Sequence, residues 1–254
     1  MRNKKVIVDG IACEYIESEK QDKDNTILFL HGWMQDASSF LEIMKNLERN
    51  DVSFASLSFP WFWWTDFPSP DWWIFDYAEF TSKFIEKLWL VKPMLVWHSF
   101  GWRVSIILWS ESDNLSKIVF IWAAGIELEL SASRKIVTTI WKTIFSLPGL
   151  RDVWNKIKQK IWSSDYNSAG KLSEIFKKVV NTDLSHLLEK IKAPCLLIWW
   201  DTDDQAPIEN AIIMDNKIPD SRLERFSEWS HFVFQEYPNE VTDLILNFYK
   251  KDDI

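Results

Sequence analysis

Three short segments carry residue types that can do acyl-transfer chemistry together. Val96 to Trp102, VWHSFGW, sets Ser99 between an apolar run and a helical stretch, with Gly101 two residues on. So sharp a turn exposes the hydroxyl and aims the next backbone N–H groups at one point. Trp199 to Pro207, WWDTDDQAP, places Asp201, Asp203 and Asp204 at the end of another apolar run. One such carboxylate can hold a histidine in a single tautomer and stabilise its charged form. The others can complement the dipole of the helix after them. Glu228 to Phe232, EWSHF, supplies His231, one of four histidines in the chain. Each segment alone has a plainer use: a serine at a strand–helix junction is commonly an N-cap, and a lone histidine is commonly structural. Together, in the chain order serine, acid, histidine, they make a nucleophile, an orienting group and a general base.

The remaining histidines have quieter roles. His31 precedes Gly32 at a strand end and is expected to order its loop; His98 flanks Ser99 with its ring expected to point away; His186 is expected to be solvated.

The elements that must position these groups are read from periodicity. Lys5 to Glu17 alternates around Asp9-Gly10 and predicts a β-hairpin. Apolar runs over Thr26–His31, Ser53–Phe59, Pro93–His98, Ser116–Ala123, Pro194–Trp200 and Ser221–Phe226 predict strands. Helical periodicity covers Ala37–Leu47, Phe75–Leu88, the stretch from Ser99 to about Ser112, Ala206–Lys217 and Pro238–Lys250. The prolines of PWFWWTDFPSP exclude regular structure after Phe59. Strands alternating with helices predict a mostly parallel, eight-stranded α/β sheet flanked by helices. Ligands bind such sheets at the carboxyl ends of the strands, where the three segments fall. From residue 126 to 191 the pattern turns helical and rich in Lys and Ser, which predicts an inserted helical cap on a core of 1–125 and 192–254.

Bulk properties exclude several classes. The chain has 254 residues, 47% hydrophobic and 26% charged, which is long enough for one large core. A net charge of −8 argues against nucleic acid or an anionic membrane as partner. The basic start, Met1 to Lys5, runs into polar residues, so no secretory signal is expected. No apolar stretch is long enough to span a membrane, and a cytoplasmic location is expected. Cys13 and Cys195 match no metal or redox spacing and read as buried thiols. No metal, no cofactor and a small-molecule substrate are expected; oligomeric state is not legible.

The motifs resemble those of the α/β-hydrolase superfamily, in the capped branch of small bacterial esterases and carbon–carbon bond hydrolases, over nearly the whole chain. FLHGWMQDASSF resembles the oxyanion loop, SFPWFWWTDFP the P-G-x-G-x-S/T loop, and LVWHSFGW the nucleophile elbow. LLIWWDTDDQAP resembles the acid motif W-G-x-x-D-x-x-x-P, which selects Asp203 over Asp201 and Asp204, and EWSHFVFQEYPNEV resembles G-x-H-F and its helix. The resemblance implies a Ser99–His231–Asp203 triad and an oxyanion hole from the backbone N–H groups of Trp33 and Phe100. Three readings are open: hydrolysis of a small ester, hydrolysis of a carbon–carbon bond in a vinylogous diketone acid, or ligand binding without catalysis. The second calls for a cation in the pocket, for which Arg103 and Arg134 are the candidates, although both are expected at the surface.

The chain departs from the family in one direction. Trp61 and Trp63 occupy the glycines of P-G-x-G; Trp97 and Trp102 flank the elbow, Trp200 opens the acid motif, and Trp229 precedes His231. Trp64, Trp73, Trp89, Trp109, Trp122, Trp141, Trp154 and Trp162 stand in similar contexts, whereas Trp33, Trp72 and Trp199 fit as tryptophans. The chain has 17 Trp and 6 Gly, where roughly 18 Gly is usual. Returning the fourteen to glycine leaves three Trp and twenty Gly. The pattern predicts UGA codons at these positions, read as glycine by the organism. The alternative is that the tryptophans are real and the protein is badly packed or inactive, with Trp97 and Trp229 crowding the triad, which is the case that favours ligand binding without catalysis. Two lesser departures are Ser58, where the family often has Asp, and Met34-Gln35 where a small residue is common.

Overall fold

In the computed structural model, residues 1–33, 35–60, 72–111, 114–121, 178–179, 182–200, 208–227 and 233–250 are described. Asp9 and Gly10 hold φ of 49° and 79°, the left-handed pair that a two-residue hairpin turn requires. The turn joins β1 (Arg2–Val8) to β2 (Ile11–Glu17), with Val8 opposite Ile11. β3 (Thr26–Leu30), β4 (Ser53–Leu57), β5 (Met94–His98), β6 (Ile118–Ile121) and β7 (Cys195–Trp200) are buried at every position. That is why they read as continuous apolar runs: a parallel strand covered on both faces has no polar side. β8 (Ser221–Phe226) is half-exposed.

The eight strands form one sheet in the order β1-β2-β4-β3-β5-β6-β7-β8. β1 and β2 are antiparallel to their neighbours, and the strands from β4 to β8 run parallel. The expected eight-stranded, mostly parallel sheet is therefore observed.

Helices α1 (Leu41–Arg49), α2 (Ile74–Lys87), α3 (Gly101–Glu111), α4 (Ile208–Lys217), α5 (Val233–Glu236) and α6 (Pro238–Lys250) flank it. α2 buries Ile74, Tyr77, Ala78, Thr81, Phe84 and Ile85, a stripe at helical spacing, and packs with α3, while α1 packs with α6. The helix expected from Ala37 begins instead as a 3-10 turn over Ala37–Phe40. Its geometry has local causes. The Ala37 carbonyl accepts the Ser56 hydroxyl at 2.8 Å, and the Ala37 N–H donates to Ser58 Oγ at 3.1 Å. Ser58 thus braces this loop.

Two compact units make up the chain, Met1–Ile126 with Leu184–Ile254, and Glu127–Asp183. The first holds all the elements above. It also holds a 3-10 helix, Ser185–Lys190, that packs on α3 and carries an exposed His186. Most of the segment expected as a cap lies outside the described residues. Cys13 and Cys195 are buried free thiols, and burial pushes Cys13 up to about 12. Among the described residues no helix is long and apolar enough to cross a membrane.

Candidate active site

β5 ends at His98, and the next residue, Ser99, takes φ 49°. For a non-glycine residue that conformation is strained by about 1–2 kcal/mol. A hydrogen bond at the start of α3 holds the turn: the Trp102 N–H donates to the Ser99 carbonyl at 3.1 Å. Gly101 is needed there for room. A Cβ on it would lie 2.9 Å from the Leu30 carbonyl oxygen and 3.1 Å from Trp97 Cβ. α3 thus starts hard against β3 and β5, and Ser99 sits half-buried at the strand edge.

The loop after β3 comes to the same place. A Cβ on Gly32 would lie 2.8 Å from His98 Nδ1 and 3.2 Å from Ser99 Cβ. The rings of Trp33 and Phe100 meet edge to face at 5.4 Å between centroids, with Phe59 and Tyr77 also against Phe100. The structure therefore brings Ser99, Phe100 and Trp33 together.

His31 orders this loop, as expected. Its Nε2 accepts the Phe59 N–H at 2.9 Å, so Nδ1 carries the proton and donates to the Gly32 carbonyl at 2.7 Å. Burial lowers its pKa to about 4, against the opposing pull of the Gly32 carbonyl. The ring is a neutral clamp between two loops.

His98 is buried, with Nδ1 3.3 Å from Gln35 Oε1 and its ring 4.6 Å from that of Phe234. Phe234 belongs to α5, three residues after His231. Asp203 and His231 themselves lie outside the described residues, as do Trp229 and Arg134. The strands that lead to them are described: Trp200, paired with Phe226, ends β7 beside the end of β8. Asp203 comes three residues after Trp200, and His231 five after Phe226. Arg103 corrects an expectation. It is buried rather than at the surface, with its guanidinium carbon 4.9 Å from the centre of the Trp102 ring.

Gln35 escaped sequence reasoning as a functional residue. The only signal was its size, in a loop where a small residue is common.

Solved structures share this fold. Similar solved structures include a membrane phospholipase A described as a bacterial virulence factor, at TM-score 0.78 and 17% identity over 99% of this chain and 87% of that one. A bromoperoxidase from Bacillus anthracis superposes at TM-score 0.76 and 18% identity, over 98% of this chain and 100% of its own. The esterase EaEST from Exiguobacterium antarcticum gives TM-score 0.75 at 19% identity, again over 98% and 100%. The chain has the α/β-hydrolase fold. In sequence it is 25% identical over 267 residues to the uncharacterized hydrolase YugF of Bacillus subtilis (strain 168), covering 96% of each. No protein-family model matches it.

Proposed function

We propose that this α/β-hydrolase-fold protein is a serine hydrolase acting on a small, mostly apolar ester, with Ser99 as nucleophile. The observation that carries the reading is the strained φ of 49° at Ser99, on the turn between β5 and α3. The names of its relatives, an esterase and an uncharacterized hydrolase among them, agree. Phe234, packed on His98, supports a place for His231 near the same strand edge.

In this mechanism Ser99 Oγ attacks the ester carbonyl carbon while His231 takes its proton. Asp203 keeps His231 in the right tautomer and stabilises the imidazolium. The N–H groups of Trp33 and Phe100 receive the negative oxygen of the tetrahedral intermediate, where each donor is worth about 2.7–4 kcal/mol. Collapse expels the alcohol, protonated by His231, and leaves an acyl-serine. Water, deprotonated by His231, then attacks the acyl carbon and releases the acid. The segment 126–191 serves as the cap that selects the substrate, and the enzyme works in the cytoplasm.

Turnover of p-nitrophenyl acetate and butyrate tests the reading. Hydrolysis is expected from the unaltered protein and background rates from Ser99→Ala. Equal rates in the two would contradict it. Stoichiometric binding of an ester without turnover would favour the non-catalytic scaffold.

A further inference from the structure

The turn at residues 32–35 is tied to the nucleophile strand by one side chain. Gln35 Oε1 accepts the Gly32 N–H at 2.9 Å and lies 3.3 Å from His98 Nδ1. Its own backbone N–H donates to the Gly32 carbonyl at 3.3 Å. That carbonyl also accepts the His31 Nδ1 proton at 2.7 Å. Both polar groups of Gly32 are thus held, one by the Gln35 side chain and the other by the Gln35 backbone with His31.

The planar trans peptide turns this into a constraint on the next residue. The Gly32 carbonyl and the Trp33 N–H belong to one rigid unit and point in opposite directions. Fixing the carbonyl on one side therefore fixes where the Trp33 N–H points on the other. At the same time Gln35 reaches His98, the residue before Ser99, so the loop cannot shift along the strand edge without losing that contact. The room between them is small, since a Cβ on Gly32 would come within 2.9 Å of Gln35 Oε1.

We propose that Gln35 is a positioning residue for the oxyanion hole: its side-chain carbonyl ties the His31–Gly32 peptide to His98 while its backbone N–H and His31 hold the Gly32 carbonyl, and Gly32, fixed on both sides, keeps the Trp33 N–H in register with Ser99. The inference rests on Ser99 being the nucleophile of a hydrolase. Gln35 touches no reacting atom. It acts through the peptide that does, so its effect belongs to the transition state, where charge has moved onto the carbonyl oxygen, and not to binding of the neutral ester.

Two variants of similar size separate this from a general structural role. Gln35→Met has no acceptor and releases the Gly32 N–H. Gln35→Glu keeps an acceptor for it and brings negative charge toward the place where an oxyanion must form. With p-nitrophenyl butyrate, kcat is expected to fall about 10- to 100-fold in both, with KM within about twofold of the unaltered protein. The melting temperature of Gln35→Glu is expected to stay within about 2 °C. Ser99-dependent turnover whose kcat is unchanged in Gln35→Met overturns the inference and leaves the hydrolase reading standing. A parallel loss in kcat, KM and melting temperature in Gln35→Glu also overturns it, as a merely structural effect. Absence of Ser99-dependent turnover in the unaltered protein would instead sink the hydrolase reading, and the inference with it.

Discussion

His31 shows how much one side chain can fix. It was recognisable as a loop-ordering residue because it precedes Gly32 at a strand end, but its partner Phe59, past the end of the neighbouring strand β4, was not. Its pKa, lowered by burial from the ordinary 6.5 to about 4, makes it a stability sensor. Because the folded value lies below the unfolded one, protonation favours unfolding. The stability is whole above about pH 6.5 and is lost as pH falls toward 4, by roughly 3 kcal/mol in all. Urea unfolding at pH 7 and pH 4 should show that loss in the unaltered protein and a clearly smaller one in His31→Gln. The same pH dependence in both would exclude the assignment. Gly101 is the other residue with a sharp expectation. Since a Cβ there meets the Leu30 backbone at 2.9 Å, Gly101→Ala should cost about 1–3 kcal/mol and lower esterase turnover, read from melting curves and p-nitrophenyl butyrate rates.

At the level of elements, the buried strands β3 to β7 were legible because burial on both faces leaves them mostly apolar, with Thr26, Ser53, Ser56 and His98 the polar exceptions. The first turn before α1 was not, because it is tightened by hydroxyls from Ser56 and Ser58, some twenty residues away. The end of α2 bears on the tryptophan question. Trp89 holds φ 59° just past the helix, and its indole is 81% exposed. Its N–H donates to the Glu86 carbonyl at 3.0 Å, and the Leu90 N–H donates to the Ile85 carbonyl at 3.1 Å. This is the Schellman ending, whose left-handed position belongs to glycine. Trp97 and Trp109, both at positions that resemble family glycines, bury an indole N–H that meets no hydrogen-bond acceptor among the described residues, which costs about 1–3 kcal/mol each. Trp89→Gly should therefore raise stability by about 1 kcal/mol, a rise of about 2–4 °C in melting temperature for a chain of this size. A lower melting temperature would mean that the indole has a partner to lose.

Across the whole molecule, fourteen of the 17 tryptophans stand at positions or in contexts that resemble family glycines, and we propose that they are one exchange repeated. Overpacking at about 1–3 kcal/mol per site would sum past the roughly 5–15 kcal/mol that holds a domain together. Peptide mass spectrometry of the protein from its own host should find glycine at those fourteen positions, and UGG codons there would contradict this. The mostly parallel sheet and its ligand-binding strand edge were readable from the alternation of strands and helices, whereas the strand order was not, because pairing partners leave no mark on periodicity. The substrate was not, because the segment 126–191 has no motif that ties its residues to a ligand. Asp203 and His231 were chosen by motif and chain order; among the described residues, Trp200 and Phe226 end β7 and β8 on the same edge of the parallel sheet as His98 at the end of β5. The central claim is that Ser99 is an activated nucleophile, and labelling with a fluorophosphonate, mapped to the residue by peptide mass spectrometry, tests it most directly. The account predicts a single adduct on Ser99 that disappears in His231→Ala. An adduct on any other residue, or labelling of Ser99 that is indifferent to His231, would contradict it.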